Sequence, residues 1–198
     1  LRGDNQVATI NQGADGNNNT ARTFQRGDNQ TAFISQVGTQ NNDGAFVAGV
    51  TPSVYGAEIR QGGNGGSGNE ARIEQISDFN RAFTNQQGTS LSANVRQDGA
   101  GGSNTSFIDQ SGSGGSVALN ADVVQSGLGN ASSIDQDGTS QRAELTQLGN
   151  DNESFIIQNG TGHVAEVTQN SSDNFSTITQ NGTGMSAIVT QGAPSAPN

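Results

Sequence analysis

QRAELTQLGNDNESFIIQNG, residues 141–160, writes one line twice. Gln141, Ala143, Leu145, Gln147 and Gly149 occupy alternate positions, and Asn152, Ser154, Ile156, Gln158 and Gly160 repeat them eleven residues on. A period of two belongs to a β-strand, whose successive side chains point to opposite faces. One face of each strand therefore carries an amide, a small residue, an aliphatic residue and a second amide. The glycine two residues later marks a turn, since glycine accepts positive φ at no steric cost.

The frame extends outward from this stretch in both directions. Its closing glutamine recurs at Gln12, Gln25, Gln36, Gln61, Gln75, Gln86, Gln97, Gln110, Gln125, Gln136, Gln147, Gln158, Gln169, Gln180 and Gln191. The interval from Gln36 to Gln61 has room for one degenerate copy through Asp43, Ala45, Val47 and Gly49, followed by Pro52. The position six before the glutamine holds Asn19, Asn69, Asn80, Asn104, Asn130, Asn152 and Asn174. In the other segments it holds Gln6, Gln30, Tyr55, Leu91, Leu119, Gln141, His163 or Met185. Where the spacing exceeds eleven, the extra residues are mainly Gly, Ser, Asn and Asp, as in GGNGGSG at 62–68. Insertions thus fall in the arcs and spare the strands.

Strand, arc, strand, arc makes one turn. Sixteen segments predict about eight turns over residues 1–191, degenerate near 43–54, with a short C-terminal tail at 192–198. The expected fold is all-β, a two-sheet parallel β-solenoid with a thin core of Ala, Ser, Ile, Val and Leu. Inward glutamines and asparagines stack on their own kind one turn above and below, which satisfies buried amides along the stacking axis.

Composition fits such a coil better than an ordinary globule. Leu, Ile, Val and Phe number 37 in 198 residues, less than one-fifth, a level normally associated with disorder. A coil whose turns bury one another needs little apolar area per residue. The net charge is −10 and every cation is Arg, which disfavours nucleic acid and anionic lipid as partners. With no Cys there is no disulfide, thiolate nucleophile or Cys-bound metal, and no cofactor is expected. No apolar run reaches membrane-spanning length, so no membrane insertion is expected. The pattern starts within six residues of Leu1, which predicts a mature form with its leader removed.

The repeats resemble those of the curlin-repeat family, a group of bacterial functional amyloids. That pattern is Ser-x5-Gln-x-Gly-x2-Asn-x-Ala-x3-Gln. Gln136-x-Gly138-x2-Gln141-x-Ala143-x3-Gln147 matches it except for Gln in the Asn slot, and Gln75-x-Ser77-x2-Asn80-x-Ala82-x3-Gln86 except for Ser in the Gly slot. The resemblance covers about residues 5–191. It implies export unfolded through an outer-membrane secretion pore of a Gram-negative-type bacterium, helped by periplasmic chaperones. A nucleator subunit would then start growth of an extracellular amyloid-type fibre for biofilm matrix and adhesion. Regular repeats as far as Gln191 favour the structural subunit over the minor nucleator. One departure concerns the asparagines: Asn69 and Asn80 open consecutive segments, which predicts that the Asn column changes sheets there.

Self-assembly needs surfaces, not a catalytic constellation, and the residues support none for an enzyme. His163, the sole histidine, sits in an inward slot as filler. Glu70, Glu74, Asp109, Asp122, Asp135, Glu144 and Glu166 fall outward as solvated charges, unlike the one-sided acid cluster of polysaccharide-cleaving β-helices. Arg-Gly-Asp at 2–4 and 26–28 reads as arc, and the Asn-x-Ser/Thr sequons at Asn104, Asn130, Asn152 and Asn174 follow from the inward pattern. An ice-binding face would need an unbroken outward Thr array; Thr168, Thr177, Thr179 and Thr190 have Phe, Glu and Arg among their outward neighbours. The intersubunit strands are read as Gln6, Ala8 and Ile10 at one end and Met185, Ala187 and Val189 at the other. Phe33, Phe83, Phe107 and Phe155, each three before a glutamine in an odd-numbered segment, are expected to form one outward aromatic column. Arg22, Arg72, Asn94, Asp122, Glu144 and Glu166 are expected to form the charged face opposite.

Overall fold

The computed structural model describes residues 3–13, 19–38, 56–62, 66–99, 102–113 and 118–192. The strands are β1 (Val7–Gln12), β2 (Ala21–Gln25), β3 (Thr31–Gln36), β4 (Gly56–Gln61), β5 (Glu70–Gln75), β6 (Arg81–Thr89), β7 (Leu91–Asp98) and β8 (Thr105–Ser113). They continue as β9 (Leu119–Ser126), β10 (Ala131–Thr139), β11 (Arg142–Leu148), β12 (Glu153–Thr161), β13 (Val164–Gln169), β14 (Phe175–Thr183) and β15 (Ser186–Gln191). Odd-numbered strands form one sheet of eight, even-numbered strands a second sheet of seven. Every pairing is parallel and in register, glutamine on glutamine: Gln136 lies on Gln158, Gln147 on Gln169. The chain is a two-sheet parallel β-solenoid.

Alternation builds the core. Ile34, Ile73, Val95, Val123, Leu145 and Val167 of the larger sheet face Ile59, Ile108, Ile134, Ile156 and Ile178 of the smaller, all buried, with Ala and Ser beside them. Each fully buried aliphatic side chain contributes about 1.5–3 kcal/mol. The arcs turn on positive φ. Gly138 has φ +133°, and a Cβ there would lie 2.0 Å from the Gly160 carbonyl oxygen on the next turn. A second left-handed residue precedes the opening position, as at Ser140 (φ 56°), Asp151 (φ 54°) and, with a bulky side chain, Phe79 (φ 57°).

The expected sixteen segments and eight turns are corrected to fifteen strands among the described residues. The segment near 43–54 and Tyr55 lie outside those residues. β2 pairs directly with β4 and β3 with β5, so Gln25 meets Gln61 and Gln36 meets Gln75. That shift of one segment reassigns the outer faces. Phe33 lies in the larger sheet, against Arg72, and Arg22 lies in the smaller sheet, against Glu58. The expected column of four phenylalanines therefore does not exist. The Asn column does not change sheets either: Asn19, Asn80, Asn104, Asn130, Asn152 and Asn174 all precede even-numbered strands, and Asn69 alone precedes an odd one. Of the expected tail only Gly192 is among the described residues.

Candidate functional site

Two glutamine ladders run the length of the coil. In the larger sheet Gln12 donates to Gln36, Gln36 to Gln75, Gln75 to Gln97, Gln97 to Gln125, Gln125 to Gln147, Gln147 to Gln169 and Gln169 to Gln191, at 2.9–3.0 Å. In the smaller sheet Gln25 donates to Gln61, then Gln86, Gln110, Gln136, Gln158 and Gln180 follow at 2.8–2.9 Å. In each bond the Nε2 of the earlier residue donates to the Oε1 of the later one. The second Nε2 hydrogen crosses to the facing sheet: Gln147 donates to the Ala131 carbonyl at 3.0 Å and Gln158 to the Arg142 carbonyl at 3.1 Å. Each interior amide thus spends both hydrogens, one up the column and one across the core. The sequence pattern offered no sign of the crossing bond, because its acceptor is a backbone carbonyl that any residue supplies.

The asparagines make a third column. Asn152 Oδ1 accepts from the Asn174 backbone N–H at 3.0 Å and from Asn174 Nδ2 at 2.9 Å, and Asn130 does the same for Asn152. Asn69 stands apart, with its Nδ2 on the Gly88 carbonyl and its Oδ1 accepting from the Leu91 N–H. Its column continues through Leu91, Leu119, Gln141, His163 and Met185. His163 is buried, with Nδ1 accepting from the Met185 N–H at 3.2 Å and Nε2 donating to the Asn159 carbonyl at 3.0 Å. In this arrangement Nδ1 is the acceptor and Nε2 the donor.

The outer faces differ. On the smaller sheet Phe83 and Phe107 stack with centroids 4.9 Å apart, and Phe155 meets Phe175 at 6.1 Å, with Ser133 between the two pairs. Arg60 lies over Phe83, and Arg60 also pairs with Glu58, a carboxylate only 2 % exposed despite its outward position. On the larger sheet Arg72 lies over Phe33, and Arg142 pairs with both Glu144 and Glu166. Asp109 and Asp135 are register neighbours on the smaller sheet. Burial raises both carboxyls above the usual value; the Asp135 charge adds to this at Asp109, against a hydrogen bond from Asn85, and the Asp137 charge adds to it at Asp135. Among the described residues no group of His, Cys, Asp and Glu is placed to hold a metal.

The ends are open. Ile10, the β1 counterpart of the wholly buried Ile34, is 43 % exposed. Every residue of β1 is exposed, and Ala187, Val189 and Gln191 of β15 are only partly covered. Gln6 donates to the Gly27 carbonyl at 2.6 Å, and Met185 is 41 % exposed. Gln25 Oε1 is buried without a hydrogen-bond partner, and Gln191 Nε2 donates to the Phe175 carbonyl. The ladders are polar, each bond running from the β1/β2 side toward the β14/β15 side.

Among the described residues the molecule is a parallel β-solenoid with polar amide ladders, and its outermost strands β1 and β15 each pair on one side. The family model of the curlin associated repeat matches residues 16–43 and 149–182. The chain thus carries curlin associated repeats over these two stretches. No curated protein and no solved structure matches it.

Proposed function

We propose that the chain is a structural subunit of an extracellular curli-like fibre, without enzymatic function, serving biofilm matrix and adhesion at the surface of a Gram-negative-type bacterium. Copies join head to tail in amyloid-type stacking, the strand of one terminal rung pairing with that of the next. By family resemblance the other partners are a nucleator subunit, an outer-membrane secretion pore and periplasmic chaperones. The reading is carried by the in-register strands and amide ladders, which another copy can continue at β1 and β15. Soluble proteins blunt exposed strand edges with charge, proline or a covering element. Here β1 places Val7, Thr9 and Asn11 outward and Ala8, Ile10 and Gln12 inward, with no charged residue, and β15 is likewise uncharged.

The test is assembly of the purified chain diluted from denaturant. Unbranched fibres with a cross-β spacing of about 4.8 Å are expected. A stable monomer over days at high concentration, with no thioflavin signal, would overturn the reading.

A further inference from the structure

We propose that Asn159 and Asn181 are sites of spontaneous deamidation, open to it in the unfolded chain and closed to it by the strand ladder. The chemistry needs only the solenoid and not the fibre.

The fold itself creates the labile pairs. One outward column of the smaller sheet lies one residue after the closing glutamine and runs in register through Gln87, Ser111, Asp137, Asn159 and Asn181. Beside it runs a column of glycine alone: Gly88, Gly112, Gly138, Gly160 and Gly182. A Cβ at Gly160 would lie 2.0 Å from the Gly182 carbonyl oxygen, and one at Gly112 would lie 2.1 Å from that of Gly138. Only glycine fits between such rungs, so an asparagine in the first column is followed by glycine. Among the described residues Asn159 and Asn181 are the asparagines so followed, and both are exposed to water.

Asparagine before glycine closes readily on itself, because glycine puts no side chain beside the attacking nitrogen. The Gly160 backbone nitrogen bonds to Asn159 Cγ, the Cγ–Nδ2 bond breaks, and the proton of the attacking nitrogen leaves with Nδ2 as ammonia. Water then opens the cyclic imide at either carbonyl. One opening leaves an ordinary aspartyl residue. The other leaves an isoaspartyl linkage, in which the main chain runs through the side-chain carbon. Water is the co-reactant, and nothing is oxidised or reduced.

The paired strand holds the reacting atoms apart. Asn159 Nδ2 donates to Asn181 Oδ1 at 3.0 Å, which ties both carboxamides along the column. Side chains stand roughly perpendicular to a sheet, whereas the ladder N–H groups point sideways to the next strand. Gly160 has the parity of Gly162, whose N–H donates to the Thr139 carbonyl at 3.0 Å, so the Gly160 nitrogen faces β10. Gly182 has the parity of Gly184, whose N–H donates to the Thr161 carbonyl at 2.8 Å, so the Gly182 nitrogen faces β12. Ring closure at either site requires its rung to leave the ladder.

The products fit the ladder poorly. An aspartyl carboxylate at position 159 stands one rung from Asp137 and has no N–H for Asn181. Like charges directly opposite each other destabilise a sheet. The isoaspartyl linkage adds a carbon to the backbone of β12 and takes Gly160 and Thr161 out of register with Gly182 and Thr183. A chain kept unfolded thus accumulates a lesion that a folded one is spared.

The test ages the full chain in warm, mildly alkaline buffer, one sample in guanidinium chloride and one refolded. Peptide masses read amide-to-acid conversion at each asparagine, and methyltransferase labelling reads isoaspartate. In denaturant Asn159 and Asn181 should convert well ahead of Asn170, which precedes Ser171. In the refolded chain, monomer or fibre, conversion at both sites should be slower by about tenfold or more, because the ladder's hydrogen bonds must open first. Equal rates in the two samples overturn the protection. Absence of any lead of Asn159 and Asn181 over Asn170 in denaturant overturns the sites themselves.

Discussion

Gln147 donates to Gln169 at 2.9 Å, and no bond of either glutamine ladder among the described residues runs the opposite way. The coil is polar at every rung, so its two ends are chemically different surfaces. Removing one amide strands its neighbours on both sides.

Gln147→Ala leaves the Gln125 Nε2–H, Gln169 Oε1 and the Ala131 carbonyl each short of a partner inside a dry core. A buried unsatisfied group costs about 1–3 kcal/mol. The outward control Thr146→Ala should stay within about 0.5 kcal/mol of the parent. Denaturant midpoints of the three chains check this; equal midpoints would show that the ladder contributes nothing to stability.

His163→Gln should replace the ring only in part: Gln141, one rung earlier in the same column, donates to the Asp137 and Gly160 carbonyls at 3.0 Å, but its buried Oε1 accepts no bond. His163→Ala orphans the Met185 N–H and the Asn159 carbonyl. Hydrogen exchange read at the Met185 amide should accelerate in both variants, while the denaturant midpoint should fall further in the alanine one, which alone loses the donor to the Asn159 carbonyl.

Strand identity and inward slots were legible in the sequence because period two survives every insertion: Ala143, Leu145 and Gln147 are buried, and Glu144 and Thr146 are not. Sheet membership was not legible before Gln61. A weak copy such as Asp43-x-Ala45-x-Val47 has the alternation without the amide, and counting it moves Phe33 and Arg22 to the wrong sheets. Only the pairing of Gln36 with Gln75 decides that count. The burial of Glu58 was also illegible, since alternation assigns a face but not what lies over it. The second left-handed position found in most of the described arcs escaped notice because Ser140, Asp151 and Phe79 share no chemistry, only a place one residue before the opening slot.

The Asp109–Asp135 pair predicts a pH response. Both carboxyls are raised, chiefly by burial and then by neighbouring charge. A carboxyl whose folded pKa exceeds its unfolded value contributes its full stability below the unfolded value and loses it as pH rises through the folded one. The midpoint contribution of this pair should therefore grow as pH falls from neutral toward 3.8, the ordinary aspartate value. Asp135→Asn removes one charge of the pair and should flatten that slope relative to the parent. A parallel pH profile for parent and variant would rule the pair out as the source.

The terminal strands predict where proline stops growth. In a parallel strand the N–H and C=O of one residue point to the same neighbour, and successive residues alternate. Val7 and Gly13 donate to the Gln30 and Gln36 carbonyls, so the N–H groups of Ala8 and Ile10, of opposite parity, face the open edge. At the other end the Met185 and Gln191 carbonyls accept from Val164 and Asn170, so Ile188 faces outward along the axis while Val189 points back to β13. Ile10→Pro and Ile188→Pro each remove an open-edge donor and place a ring where the next strand must dock, leaving the pairing inside the subunit intact. Val189→Pro instead breaks the β13–β15 pairing within the chain. Seeded elongation should fall severely for Ile10→Pro and Ile188→Pro while their monomer denaturant midpoints stay near the parent, and Val189→Pro should lower both. Normal elongation by Ile10→Pro and Ile188→Pro would show that copies do not join through these strand edges.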